Sequence, residues 1–185
     1  MVNFVMLLFA GLFADVKGQE NTGGFITDQN GKYVVYHQEK AIKLDDKQDF
    51  QSYVSEFFDK KAVKLNAEGQ ERVTVEGKTA LKRHATIGNY VAGAVNYKLV
   101  FEKTGDGYRY WFTDLSYQPY IKDRYGKVVP AKVKPIPLEK DMTDINQGSW
   151  NKQREYAYQT ISTLAENFNK HLNRIDQPTV VNIPQ

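Results

Sequence analysis

The segment YKLVFEKTGDGYRYWFTDLSY, residues Tyr97–Tyr117, is rich in aromatic residues and decides the fold of this chain. Two runs of alternating side chains flank the short segment Gly105–Gly107, a pattern typical of a β-hairpin. Because successive side chains of a strand point to opposite faces, residue parity separates the two faces of this hairpin.

One face of the predicted hairpin is wholly apolar and the other is mixed. The apolar set consists of Tyr97, Leu99, Phe101, Tyr108, Tyr110 and Phe112. The mixed set consists of Lys98, Val100, Glu102, Arg109, Trp111 and Thr113. We expect the apolar set to be buried beneath helices and the mixed set to point away from the core.

The mixed face supplies the candidate binding surface, formed by Lys98, Arg109, Trp111 and Thr113. A tryptophan beside an arginine can stack on a sugar, on a base or on a side chain of a partner. The alternative is that the C-terminal segment or the loop 117–125 covers Trp111, which would make this residue structural.

Two helices are predicted from spacings of three and four between apolar residues. The first spans Leu44–Lys61, with Phe50, Phe57 and other apolar residues on one face and Asp45 as its N-cap. The second covers about residues 149–175, with Ser149 as its cap.

The remaining elements are predicted strands. They are Lys32–Ile42, Ala62–Asn66, Arg72–Glu76, Thr79–Ile87 and Ala94–Lys103, with turns at Gly69, Gly77 and Gly88 and a bend over Gly88–Gly93. Tyr117–Pro137 is rich in proline and predicts an irregular edge with one short strand around Lys127–Val133. The sequence therefore predicts an α+β fold, an antiparallel sheet with two helices packed on one face.

Composition indicates one domain with a substantial core. The chain has 185 residues, of which 12 are Tyr, 10 Phe and 2 Trp, and its formal net charge of +3 is weak support for a polyanionic partner. The absence of cysteine excludes disulfides, thiolate metal ligands and a cysteine nucleophile.

The N-terminus resembles an export signal. The apolar run Phe4–Ala14 is too short to span a bilayer, and Val16 and Gly18 suit cleavage before Gln19. We expect residues 1–18 to be a signal peptide and residues 19–185 to form a single exported domain without a transmembrane segment. A buried N-terminal helix or strand is the alternative.

Few residues suggest catalysis. His37, His84 and His171 lie on different predicted elements, and no serine occupies a nucleophile elbow. Asp114 is the one acid that no turn or cap explains, so it is the candidate for a carboxylate-based hydrolase. We expect no enzymatic activity, no metal and no cofactor.

The basic stretch Lys122–Lys134, which includes Arg124 and Lys127, is a weaker candidate surface for phosphates or an anionic glycan. Lysines also discourage pairing at the edge of a sheet, which is the structural alternative. We therefore favour the structural alternative over nucleic-acid binding.

The hairpin resembles an uncharacterised bacterial family of secreted domains with a TATA-binding-protein-like fold. The similarity rests on the order of elements over about residues 32–129, and on a Tyr-Arg-Tyr strand that ends in Thr-Asp. In this chain the matching positions are Tyr97, Leu99, Phe101, Gly107, Tyr108, Arg109, Tyr110, Phe112, Thr113 and Asp114.

The resemblance implies an exported α+β protein of the cell envelope, either periplasmic, surface-bound or secreted. It implies no reaction, ligand or catalytic residue, and a fold alone does not establish DNA binding. The leading hypothesis is a non-catalytic domain that binds a protein or glycan of the envelope, with the hydrolase and the nucleic-acid-binding module as alternatives.

Overall fold

The computed structural model describes residues 24–175 apart from residues 41–49, 60, 62, 70, 86, 87 and 106. The predicted signal segment 1–18 and the predicted cap Asp45 lie outside the described residues. Within them, an eight-stranded antiparallel sheet carries two helices, which confirms the predicted α+β fold class.

Three long consecutive strands form the centre of the sheet, and shorter strands precede and follow them in the chain. The strands are β1 (Ile26–Thr27), β2 (Tyr33–Lys40), β3 (Lys64–Ala67), β4 (Arg72–Ala85), β5 (Gly88–Thr104), β6 (Gly107–Lys122), β7 (Val128–Pro130) and β8 (Ile136–Pro137). The helices are α1 (Phe50–Phe58) and α2 (Asp144–Ile175). The spatial order is β1-β2-β6-β5-β4-β3, and both β7 and β8 pair with β6.

The predicted parity of the hairpin is confirmed. The whole apolar set is at most 4% exposed, and we call the sheet face that carries it the inner face. Phe168 of α2 packs against Phe101 and Tyr110 from this face and against Phe57 of α1. Both helices therefore cover the same side of the sheet.

Two predicted interruptions of the strands are wrong. β4 continues through Gly77, which pairs with Tyr97, and β5 begins at Gly88 and includes Gly93. A β-carbon on Gly77 would stand 2.6 Å from the hydroxyl oxygen of Tyr97, and one on Gly93 would stand 2.5 Å from the ring of Tyr117. These glycines permit close approach of a neighbouring aromatic ring and do not make turns.

β6 contains a β-bulge that changes its parity. Asn96 pairs with Ser116 and Lys98 pairs with Thr113, so Tyr97 faces both Asp114 and Leu115. The extra residue returns Leu115, which is 1% exposed, to the inner face after Phe112. A second bulge lies opposite Leu81 and Lys82, where Ala92 is the additional residue of β5.

The predicted irregular edge is partly regular. Residues 117–122 complete β6, and this strand includes Pro119. A strand can contain proline here because this residue lacks only the N–H, and the Pro119 carbonyl still accepts a hydrogen bond from the Ala131 amide at 2.9 Å. β7 falls inside the predicted short strand, and β8 is an additional one.

Helix α2 begins at Asp144, five residues before the predicted start, so Ser149 is not its cap. The prediction failed because residues 144–148 contain little apolar periodicity. Trp150 anchors this early part of the helix: it packs against Tyr117 and donates from its indole N–H to the Lys140 carbonyl at 2.7 Å.

Candidate functional site

The face opposite the helices, which we call the outer face, carries the predicted mixed set. The strand register aligns Thr74, Val100, Trp111 and Tyr36 in one row across β4, β5, β6 and β2. A neighbouring row contains Arg72, Glu102 and Arg109. Aromatic or basic side chains of β2, β4 and β6 thus meet around Val100 and Glu102 of β5 near the centre of the sheet.

Trp111 is half-buried, and the side chains that contact its ring also lie on the outer face of the sheet. The Tyr36 ring stacks near it at 6.4 Å between centroids, and the guanidinium carbons of Arg72 and Arg109 lie 6.0 Å and 5.8 Å from its centroid. The sequence left open whether the segment 117–125 covers Trp111, and residues 117–122 of that segment continue β6. The C-terminal residues 176–185 lie outside the described part.

Glu102 orients both arginines. Its Oε2 atom accepts a hydrogen bond from Nε of Arg109 at 2.7 Å and lies 2.6 Å from Nη2 of the same residue. Its Oε1 atom lies 3.2 Å from Nη1 of Arg72. Glu68 lies 3.2 Å from Nε of Arg72. The carboxylate of Glu102 on β5 and that of Glu68, which directly follows β3, therefore hold two guanidinium groups beside the indole.

Lys98 and Thr113 form the other flank of the surface. They are directly opposite each other on β5 and β6, and Lys98 also pairs with Glu76 of β4, which pairs with Lys64 of β3. The structure therefore brings together all four predicted residues of the binding surface, and it adds Arg72 and Tyr36. Sequence reasoning missed these two because their proximity depends on pairing with distant strands.

Asp114 has a structural explanation. It occupies the bulge with φ of 51°, in the left-handed region that Asp tolerates better than most residues. Its carboxylate is 3.9 Å from Lys32 Nζ, which also contacts Glu139 at 2.8 Å, and the hydrogen bond to Glu139 raises the pKa of Lys32.

The weaker basic candidates lie elsewhere. Lys122, Arg124 and Lys127 belong to the β6–β7 hairpin, where all three are exposed. Lys122 lies eleven positions after Trp111 on β6, a distance of about 36 Å at about 3.3 Å per residue. The structure therefore does not bring these cations to the Trp111 surface.

A pocket of about 450 Å³ lies beside this hairpin. Residues of β5, β6, β7 and α2 line it, among them Tyr90, Ala92, Tyr117, Ile121, Val128 and Gln153. We call it the end pocket. The sequence carried one signal for it, the apolar residue Val128 inside the basic stretch and Ile121 directly before it, which a merely solvated edge would not need.

The described histidines have structural surroundings. The His37 ring stacks on Tyr110 at 5.0 Å, and Nε2 of His171 lies 3.2 Å from the Tyr53 carbonyl oxygen. Within the described residues, no group of three or more His, Asp or Glu side chains is arranged to hold a metal ion. In the same residues, no helix is both long and apolar enough to cross a membrane.

Comparison with known proteins yields structural similarity alone. No family model and no curated protein matches the sequence. A TBP-like protein from Parabacteroides distasonis aligns with a TM-score of 0.56 and 14% identity over 78% of this chain and 95% of its own. A DUF4468 family protein from Bacteroides ovatus aligns with a TM-score of 0.44 and 11% identity over 82% and 96%, respectively. The first match confirms the predicted TATA-binding-protein-like fold.

Proposed function

We propose that this chain is a non-catalytic domain of the bacterial cell envelope that binds a protein partner on the outer face around Trp111. The observation that carries the proposal is the cluster of Trp111, Tyr36, Arg72 and Arg109 on a sheet face opposite the helices. Tryptophan, tyrosine and arginine are the residues most enriched among those that dominate the free energy of protein association.

Preorganisation of the arginines supports the same proposal. Arginine loses side-chain freedom when it binds, and this entropy loss weakens association. Because Glu102 already holds Arg72 and Arg109 on either side of one carboxylate, part of that loss occurs during folding. The cluster thus presents a nearly fixed arrangement of rings and cations.

The pattern of charge favours a protein over a glycan. Both signs alternate on the outer face, with Glu68, Glu76 and Glu102 between Lys64, Arg72, Lys98 and Arg109. Protein surfaces offer complementary charges of both signs, whereas a neutral glycan offers none. Two guanidinium groups within about 6 Å of the indole also reduce the ring area left for a sugar to stack on.

No specific observation favours the two alternatives. The bulge explains Asp114, which was the only support for a hydrolase, and the basic hairpin lacks the aromatic row of the outer face. The envelope location rests on the predicted signal segment 1–18 and on the family resemblance. It predicts that the exported chain begins at Gln19, which mass spectrometry of the intact protein from envelope fractions would test.

The binding surface is tested by affinity capture from envelope extracts with the full exported chain, followed by titration of the captured protein. We expect Trp111→Ala to weaken binding by about thirtyfold, the effect of removing one dominant contact of about 2 kcal/mol. Tyr125→Ala is the matched control, because Tyr125 is an exposed aromatic residue on the distant hairpin. Equal affinity of the wild type and Trp111→Ala would reject the outer face as the site.

A further inference from the structure

The end pocket has a floor fixed by hydrogen bonding. The Tyr117 hydroxyl donates to the carbonyl of Ala92 at 3.0 Å, and Ala92 is the extra residue of the β5 bulge. The Tyr117 ring also packs against Trp150 of α2. Strand and helix are thus joined at the base of the pocket, so its shape is established by folding. Its volume of about 450 Å³ lies within the range of small-molecule sites.

The mouth of the end pocket is apolar. Tyr90, Ile121 and Val128 line it, and they are 48%, 53% and 47% exposed. Single exposed apolar residues are ordinary on protein surfaces. Three large ones around one opening form an apolar surface whose burial by a ligand is favourable. The body of a ligand in this pocket should therefore be apolar.

Gln153 of α2 supplies a polar feature inside the pocket. The residue lines the pocket, but its Oε1 atom is fully buried and has no hydrogen-bond donor among the described residues. A buried carbonyl oxygen without a donor destabilises the fold, so rotation of this side chain to meet an N–H or O–H group of a ligand in the pocket would gain affinity. The ligand is expected to carry such a donor next to its apolar body.

Cations lie at one side of the opening. Lys122 lines the pocket, and Lys127 follows it across the hairpin turn. Within the described chain neither forms an ion pair. The intervening acid, Asp123, is engaged by the turn, because its Oδ1 atom accepts from the amides of Tyr125 and Lys127 at 2.8 Å. Residues 122–127 carry three cations, Lys122, Arg124 and Lys127, against the single carboxylate of Asp123, so an anionic group meets net positive charge at the mouth.

From these features we infer that the end pocket binds a small anionic amphiphile with an apolar body, one hydrogen-bond donor for Gln153 and an acidic group for Lys122. This site is separate from the outer face and does not depend on the proposed protein partner. Neither the family resemblance nor the structural matches assign a ligand there.

A pair of matched ligands tests the inference by isothermal titration calorimetry. N-octanoylglycine has an alkyl chain, an amide N–H and a carboxylate, whereas N-octanoylsarcosine differs by a methyl group that replaces the N–H. We expect the wild-type chain to bind N-octanoylglycine about fivefold to tenfold more tightly, the effect of one hydrogen bond to a buried acceptor.

Substitutions then locate the binding. Gln153→Leu keeps a similar volume and a helix-forming residue, so it should fold, and it should abolish the difference in affinity between the two ligands. Lys122→Gln should weaken both ligands about threefold to tenfold by removing the charge. Lys170→Gln, the same change at an exposed lysine of α2 that does not line the pocket, is the control and should leave both affinities unchanged.

Three outcomes would overturn the inference: no binding of either ligand, equal binding of both by the wild type, or an affinity difference that persists in Gln153→Leu. Co-sedimentation with phosphatidylglycerol vesicles distinguishes a bilayer from a free amphiphile. Vesicle binding without binding of the soluble ligands would assign the basic hairpin to a membrane surface and would reject the pocket as the site.

Discussion

The phenol ring of Tyr97 occupies the space in which a side chain at residue 77 would stand. The two residues pair directly on β4 and β5, and a β-carbon on Gly77 would lie 2.6 Å from the Tyr97 hydroxyl oxygen and 2.9 Å from Val63. The ring is 4% exposed and also packs against Phe112, so it has little room to move away.

Gly77→Ala should lower the free energy of unfolding by about 1–3 kcal/mol, because the added methyl group overpacks this part of the core. Urea denaturation measures the change. Gly148→Ala is the matched control, since Gly148 lies exposed in α2 with no atom within 4 Å of the added carbon. That substitution should raise stability by about 0.5–1 kcal/mol through helix propensity. A stable Gly77→Ala variant would contradict the close packing.

Alkaline pH should destabilise the protein through Tyr97. Burial raises the pKa of Tyr97 from 10.0 to about 12 in the folded chain. The folded state therefore holds this proton more tightly than the unfolded state, so the contribution to stability is complete below about pH 10 and disappears as pH rises towards about 12. The loss should amount to about 2–3 kcal/mol.

The contribution of Tyr97 is separated from the other tyrosines by comparison with Tyr97→Phe. Free energies of unfolding for both proteins should be measured by urea denaturation between about pH 9 and about pH 12. We expect the wild type to lose more stability than the variant over this range. Parallel pH profiles would mean that Tyr97 ionises normally in the folded chain.

Asp114 should be replaceable by any residue that tolerates its left-handed backbone conformation. Asp114→Asn and Asp114→Gly should remain within about 0.5 kcal/mol of the wild type, because Asn and Gly readily adopt the left-handed region. Asp114→Val should cost about 1–2 kcal/mol or more, since a β-branched residue is strained at φ of 51°. Thermal denaturation would measure the series. Equal stability of the Val and Gly variants would argue against the bulge geometry.

Arg154 should stabilise the connection between β8 and α2. It is 3% exposed, and its guanidinium donates to the carbonyls of Leu138 at 2.8 Å and Lys140 at 3.0 Å. Arg154→Leu leaves the Leu138 carbonyl without this donor and should cost about 2–3 kcal/mol, with faster amide exchange over residues 138–143.

The control for Arg154 is Lys152→Leu, which removes an exposed positive charge from the same helix. We expect this change to alter stability by no more than about 0.5 kcal/mol. A similar effect of both substitutions would mean that net charge matters more than the contacts of Arg154 with the Leu138–Asp141 segment.

The inner face of the sheet was predictable because it depends on local alternation. Tyr97 to Phe101 and Tyr108 to Phe112 follow a period of two, and nothing distant is needed to assign their faces. The same parity placed Arg109 and Trp111 together on the outer face. The fold class and four of the six residues of the site therefore follow from residues close together in the sequence.

Interruptions of the strands were not predictable in the same way. A glycine in a strand has the same local pattern whether it makes a turn or accommodates a ring from the next strand. Gly77 and Gly93 belong to the second kind only because Tyr97 and Tyr117 lie beside them. The start of α2 was missed for a related reason, since Trp150 anchors it through contacts with β6 and Lys140.

The sequence by itself determined which side chains of Tyr97–Tyr117 enter the core and which turn away, because strand geometry imposes alternation over neighbouring residues. Only the tertiary structure decided what surrounds them. The strand register brings Arg72 and Tyr36 to Trp111, and the bulges give Asp114 and Ala92 their places. These relationships depend on pairing between residues far apart in the chain, which is selected by packing of the whole core.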